Sequence, residues 1–282
     1  MQLVFFGSSE FSVYVLEELK LHKILPSLII TTPDKPKGRK LILTPNIVKV
    51  WAQKNNIKFL DPVSLKNNPG LISKLQALSS QLFLVASYGK IIPSEIFNIP
   101  EHKTLNIHPS LLPKYRGASP IQSQILNNEK NIGVTIMQIE ERMDAGPIIA
   151  QRQFSIFNFQ FSIPGRKELE KKLAIEGARL FAHILPEWLS GVIDPILQDE
   201  SKASYCTKIK KEDGLIRMED DPLSNLLKIK AFEDWPTAYF FLNGKRIIVT
   251  DALIENSKLK IRKLIPEGKK EMLYEDFLRG QK

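Results

Sequence analysis

The sequence predicts an α/β protein, with a mostly parallel, doubly wound sheet followed by a small β-rich domain. Three observations carry that expectation. Short apolar runs alternate with helical patterns along the first half of the chain, a βαβα rhythm that sets strands in parallel with helices on both faces. ELEKKLAIEGARLFAHILPEWLSG then reads as one long amphipathic helix over 168–191, with Gly191 as its cap. Beyond it the texture changes, and from about Lys228 short alternating runs replace helical periodicity.

Taken in order, LVFFG is a short apolar strand ending in glycine, and SVYVLEELK is the helix after it. LIITTPD repeats strand and loop, VKVWAQKNN is the next helix and KFLDP a short strand. LISKLQALSS places Leu71, Ile72, Leu75 and Leu78 on one helix face. LFLVASYG is a strongly apolar strand, PSEIFN a short helix and TLNIHPS another strand end. IQSQILNNE is helical, and GVTIMQIEE alternates like a strand. The architecture is Rossmann-like, and ligands of such sheets lie beyond the carboxyl ends of the strands. The first turn reads GSSEF rather than G-x-G-x-x-G, which discounts NAD and FAD. After the long helix, DPILQDESKASYCTKIKKEDG is polar and irregular and reads as a linker. AYFFLNGKRIIVTDALI is a hairpin turning at Asn243-Gly244, and LKIRKLI is one more strand. The expected organisation is an α/β domain over 1–190, a linker over 191–227 and a small, barrel-like β domain over 228–282.

Composition narrows the function classes. The 282 residues, 43% hydrophobic and 25% charged, suit a globular protein of one large or two medium domains. No apolar run reaches membrane-spanning length, and MQLVFFGSSEF lacks a basic n-region, so a cytoplasmic protein with no membrane partner is expected. The single cysteine, Cys206, excludes an intrachain disulfide, and no Cys/His cluster has metal-site spacing, so no metal is expected. The net charge of +9 is uneven: residues 1–195 carry 23 basic and 16 acidic side chains, +7, which leaves +2 for the remainder. Between residues 20 and 60 the basic side chains face Asp34 alone. That pattern suits a polyanionic partner, although a solvated lysine-rich surface has the same composition.

The chemistry-bearing residues sit at strand ends. Asn106 and His108 in LNIHPSLLPKYRG alternate on one strand and so face the same side. Asp144 lies in ERMDAGPII, just past the next strand. If those strands are neighbours, Asp144 reaches His108. A carboxylate there sets the imidazole's tautomer, and an Asn amide beside it donates to an oxygen that becomes negative. Such a trio handles a proton and an oxyanion, as acyl transfer to an amine requires. No Ser or Cys stands as an obvious nucleophile, which favours direct transfer. His108 and Asp144 also have ordinary readings, a hydrogen-bonded structural histidine and a turn-forming aspartate before Ala-Gly-Pro, whereas Asn106 is of a type depleted in strands.

HPSLLPKYRGASPIQSQILNNEKNIGVTIMQIEERMDAGPIIAQ resembles the signature region of the folate-dependent formyltransferases. The resemblance implies transfer of a formyl group from 10-formyltetrahydrofolate, the co-substrate, to an amine. By position in the motif, Asn106 and His108 would bind the formyl oxygen, while Asp144 holds the histidine and assists removal of the amine proton. The turn Ser110-Leu111-Leu112-Pro113 is similar to the family's folate loop. Val85, Tyr88 and Gly89 are similar to the other wall of the pterin pocket, whose backbone reads the ring edge.

The acceptor implied by resemblance comes from TTPDKPKGRKLILTPNIVKVWAQKNNI, which resembles the basic loop of the methionyl-tRNA formyltransferases. There it meets the acceptor end of initiator methionyl-tRNA. Arg39 falls on the loop arginine, with Lys35, Lys37 and Lys40 around it. DPVSLKN, the Trp235-Pro236 segment and LIPEGKKEMLYEDFL follow the same family pattern, so the resemblance spans nearly the whole chain. The first domain would then be catalytic, the last an abbreviated OB-like barrel that binds tRNA, and no obligate protein partner is implied. Two departures stand out. Only ENSKLKIRKL remains where the family has further strands, and Ile216-Arg217-Met218 replaces an Ile-Asp-Trp at a site read as packing the linker. An amino-sugar N-formyltransferase is the alternative enzyme, since it shares the Asn-His-Asp set. An RNA-binding protein without catalysis is the alternative outside enzymes.

Overall fold

A computed structural model of the chain describes residues 2–38, 41–155 and 163–280. It divides into two compact units, one made of Met1–Arg116, Gly133–Gln153 and Glu170–Ser204, the other of Gly117–Ile132, Phe154–Leu169 and Tyr205–Lys282.

The first unit begins with β1 (Leu3–Gly7), whose five residues are all buried. Ser9 caps α1 (Glu10–Leu21) through a reciprocal capping box with Ser12. β2 (Leu28–Ile30) follows, then the hairpin β3 (Lys35–Lys37) and β4 (Ile42–Thr44). Asn46 caps α2 (Ile47–Lys54), which leads to β5 (Phe59–Leu60). α3 (Pro69–Ala77), β6 (Leu82–Ala86), α4 (Ser94–Phe97) and β7 (Thr104–His108) complete the βα rhythm read in the sequence. The two-residue β8 (Arg116–Gly117) and α5 (Pro120–Leu126) precede the long strands β9 (Asn131–Gln138) and β10 (Ile148–Ser155). α6 (Arg166–Leu189) is the expected long helix.

The sheet has seven strands in the order β10-β9-β7-β6-β1-β2-β5. β1, β2, β5, β6 and β7 pair in parallel, and β9 runs antiparallel to β7. The chain leaves β1 toward β2 on one side and returns to β6 on the other, so the switch point lies between β1 and β6. The central strands are buried on both faces, as a parallel sheet covered by helices requires. Val4, Phe6, Ile30, Phe83 and Val85 line one face and pack with Leu71, Leu75 and Ile96 of α3 and α4.

On the opposite face, α6 crosses β7 and β9 at Gly177. A Cβ there would stand 2.4 Å from Ile107 Cγ2 and 3.0 Å from Val134 Cγ2. Ile107 lies between Asn106 and His108, so this close crossing backs the strand that carries both.

The second unit has its own core of Ile216, Leu226, Ile229, Ile247, Val249, Ile261, Leu264 and Phe277. After the two-residue β11 (Tyr205–Cys206) comes α7 (Pro222–Ala231), started by Pro222 and capped by Asp221 accepting from Ser224 N. Sequence periodicity did not reveal this helix, because lysines interrupt its short apolar face. The antiparallel sheet β12 (Ala238–Leu242), β13 (Lys245–Glu255), β14 (Lys258–Pro266) and β15 (Met272–Leu273) precedes α8 (Tyr274–Arg279). Asn243 and Gly244 turn the expected hairpin with φ of +50° and +75°. A two-residue turn, Asn256-Ser257, joins β13 directly to β14, which is the abbreviation seen in the sequence. Ile216 N donates to Tyr239 O, and Arg217 O accepts from Asn225, so the departing tripeptide packs α7 against β12. Among the described residues no helix is long and apolar enough to cross a membrane.

Gly177→Ala tests the crossing. Alanine gains up to about 1 kcal/mol of helix propensity, yet overpacking costs about 1–3 kcal/mol. The expected outcome is a lower thermal midpoint; a higher one would show that Ile107 gives way.

Candidate active site

Asn106 and His108 project from the sheet face opposite α6. Asn106 lies in register with Val85 of β6 and Met137 of β9, and His108 with Thr135. His108 is 4% exposed. Its Nε2 lies 3.0 Å from the Tyr115 carbonyl, which only accepts, so Nε2 carries the hydrogen. Nδ1 therefore faces Asp144 Oδ1, 3.7 Å away and longer than a hydrogen bond. Among the described residues the half-buried Asn106 carboxamide meets no hydrogen-bond partner. The structure thus sets Asn106 and His108 on one face of β7, with β9 as its neighbour and Asp144 in the connection that follows β9.

Asp144 belongs to the connection from β9 to β10 and has φ of +52°, a left-handed conformation uncommon outside glycine but tolerated by aspartate. Close packing follows at Gly146, where a Cβ would stand 2.1 Å from Gln138 O. Asp-Ala-Gly-Pro is therefore more than a turn signal: the glycine lets the connection lie against β9.

The 110–113 turn is held from below. Thr135 Oγ1 donates to Ser110 O and accepts from Leu112 N, and Gln151 Nε2 donates to Leu112 O. Ser110 Oγ donates to Lys114 O, so that hydroxyl closes its own turn. Leu112 is buried, whereas Leu111 and Pro113 are partly exposed. On the other side, Val85 and Tyr88 are core residues: Val85 is 6% and Tyr88 2% exposed, with the Tyr88 ring edge-on to Phe6. Burial pushes the Tyr88 phenol up. Both residues can meet a ligand only through backbone. Exposed Ser87 and Gly89 carry positive φ, and Ser8 bonds the carbonyls of Ser87 and Tyr88.

The basic segment folds as the β3–β4 hairpin on a rigid base. Asp34, just before β3, accepts from Asn46 N at 3.0 Å and from Lys49 Nζ at 3.0 Å, and Lys49 also pairs with Asp61. The Asn46 bond first and Lys49 second hold the Asp34 carboxyl below its usual range. Asn46 ties in Ser8, Thr31 and Thr32 at the ends of β1 and β2. Burial, and next the charge of Lys35, lower the ammonium of Lys90, which follows the 85–89 wall. Lys35 is exposed at the hairpin; Arg39 and Lys40 lie outside the described residues.

Three supporting residues escaped the sequence reading. Arg116, with no exposure, donates to both Gln198 Oε1 and the Glu200 carboxylate, and Arg142 also reaches Glu200. Gln198 and Glu200 come from the segment read as a linker. Ile196 there pairs with Ile148 by two backbone bonds, one of 2.7 and one of 2.8 Å. No local pattern marks them, because their partners lie more than 50 residues away.

An imidazole thus faces a carboxylate at the end of β7, and the same strand face carries a carboxamide with no hydrogen-bond partner among the described residues. The model of the formyl transferase family matches residues 1–182, and that of the formyl transferase C-terminal domain matches 208–260. The chain belongs to the formyl transferase family. It is 36% identical to the methionyl-tRNA formyltransferase of Dictyoglomus thermophilum, over 99% of this chain and 97% of that protein, which sets it among the methionyl-tRNA formyltransferases. Solved structures share the fold: methionyl-tRNA formyltransferase from Clostridium thermocellum has a TM-score of 0.61 at 15% identity, covering 94% of this chain and 99% of that one. The N-formyltransferase from Helicobacter canadensis, in complex with folinic acid and dTDP-3-aminofucose, has a TM-score of 0.68 at 20% identity, covering 97% and 98%.

Hydrogen bonds from Arg116, then Arg142, hold the Glu200 carboxyl down to about 2. A carboxyl lowered on folding stabilises fully above its ordinary value of 4.5, and the effect fades as pH falls toward 2. Glu200→Gln is expected to melt below the parent near neutral pH. Melts taken across this acid range should show the gap closing; a constant gap would mean the ion pair is not its source.

Proposed function

We propose that this chain transfers the formyl group of 10-formyltetrahydrofolate to the α-amino group of methionine on initiator tRNA, giving N-formylmethionyl-tRNA for translation initiation. The observation that carries the reading is the approach of His108 Nδ1 to Asp144 Oδ1 at one strand end, with the Asn106 carboxamide, unpartnered among the described residues, on the same strand face.

In this reading the amine lone pair attacks the formyl carbon directly, and the carbonyl π pair moves to oxygen. Asn106 donates to that oxyanion. With Nε2 committed to Tyr115, Nδ1 is the ring nitrogen that faces Asp144. Asp144 takes the proton from the attacking amine. The oxyanion pair re-forms the carbonyl, the C–N bond to the folate N10 breaks, and N10 leaves with the proton that Asp144 received from the amine. No covalent enzyme intermediate is needed.

The folate fits between the 110–113 turn, braced by Thr135 and Gln151, and the exposed backbone at Ser87 and Gly89. In this reading Lys35, Lys37, Arg39 and Lys40 of the basic segment receive the phosphates of the tRNA acceptor end. Anchoring of its base through Asp34, Asn46 and Lys49 gives that basic hairpin a fixed origin beside the ends of β1 and β2.

The test is transfer of label from 10-formyltetrahydrofolate to charged initiator tRNA, free methionine or an amino-sugar nucleotide. Label on the tRNA is expected; label only on the sugar nucleotide, or none, overturns the reading. Asp144→Asn should keep the parent's melt and lower turnover by about two orders of magnitude or more, so near-normal turnover removes Asp144 from the mechanism. Arg39→Ala should weaken tRNA use, leave folate binding intact and reduce the salt slope of tRNA affinity by about 1. Unchanged tRNA kinetics would refute the hairpin's role.

A further inference from the structure

We infer that Gln198, locked by the buried Arg116, is a positioning residue for the transfer step: its carboxamide fixes the connection that carries Asp144. The inference rests on the proposed role of Asp144.

Gln198 makes four side-chain hydrogen bonds, two on each side of the amide. Its Nε2 donates to Asp144 O at 2.9 Å and to Gly146 O at 2.7 Å. Its Oε1 accepts from Arg116 Nε at 3.0 Å and Nη2 at 2.8 Å. Flipping the amide would set NH₂ against guanidinium donors and oxygen against two carbonyls, so only one orientation is satisfied. Both carbonyls that it grips flank the left-handed turn at Asp144 and the close approach at Gly146. A non-glycine residue in that conformation is kept there by its surroundings.

The same segment also holds the other loop. Ser204 N donates to Pro113 O, Ser204 Oγ accepts from Tyr115 N, and Ser204 O accepts from Arg116 N. Tyr115 O in turn accepts from His108 Nε2. Residues 198–204 thus brace the loop after His108 at one end and the Asp144 connection at the other. The spacing of His108 and Asp144 is set through this brace, and a displacement of about 1 Å at a reacting group costs about 100-fold in rate.

Gln198→Glu separates positioning from folding. Glutamate keeps an acceptor for Arg116 but loses both donors to the Asp144 connection. The expected result is a native melt, KM for folate and for methionyl-tRNA within about twofold, and kcat lowered by about 10- to 100-fold. In an Asp144→Asn background the same change should alter kcat by less than about threefold, because both act through one group. Gln198→Met removes the same donors together with the Arg116 acceptor, so it should melt below the parent yet show the same loss of kcat, which guards against an effect peculiar to glutamate. Normal kcat in these variants, an equal loss in both backgrounds, or an effect confined to KM overturns the inference. Near-normal turnover of Asp144→Asn alone would instead sink the base assignment, and this inference with it.

Discussion

A guanidinium with no exposure to water has to be satisfied from within, and Arg116 imposes that constraint on the first unit. An unpaired buried charge costs several kcal/mol, about 3–5 when one partner is removed. Arg116 therefore draws Gln198 and Glu200 out of a polar, irregular segment and holds them against the site. Its own backbone N–H bonds Ser204, so the segment is gripped by main chain and side chain together. Glu200 stays half exposed while Arg116 is sealed, an arrangement that leaves the carboxylate hydrated and the cation hydrogen-bonded on several sides.

The sheet supplies the second constraint. Its parallel centre requires helices on both faces, and α6 covers the back of β7 closely enough to demand glycine at position 177. The opposite face of β7 is then the one that carries Asn106 and His108. Antiparallel pairing of β9 puts Thr135 beside His108, where its hydroxyl braces the following turn. One strand end so combines a fixed imidazole, a shaped turn and an open carboxamide. The division between rigid support and available polar atoms is what the proposed chemistry needs.

Much of this was legible in the sequence. Asn106 and His108 could be assigned to one face because strand side chains alternate, and that assignment needs no tertiary information. The apolar runs of β1, β6 and β7 read as buried strands because parallel strands are covered on both sides. Helix α7 was not legible: its apolar face is short, and its start depends on Asp221 and Pro222 rather than on periodicity. Val85 and Tyr88 were singled out as part of a wall that meets a ligand through its backbone, and their side chains do lie in the core.

The sequence by itself determined the strand-helix order, the residues on each face of β7, the charge of the hairpin and the Asn243-Gly244 turn. These depend on local periodicity, on φ preferences and on composition. Tertiary structure alone decided that β9 returns beside β7, that Nε2 of His108 is taken by Tyr115, and that Gln198 reaches Asp144 O and Gly146 O. Each of these is a contact between residues whose separation carries no periodic signal, or a choice between two equivalent ring nitrogens. Only the folded chain, with every buried polar group seeking a partner, makes that choice.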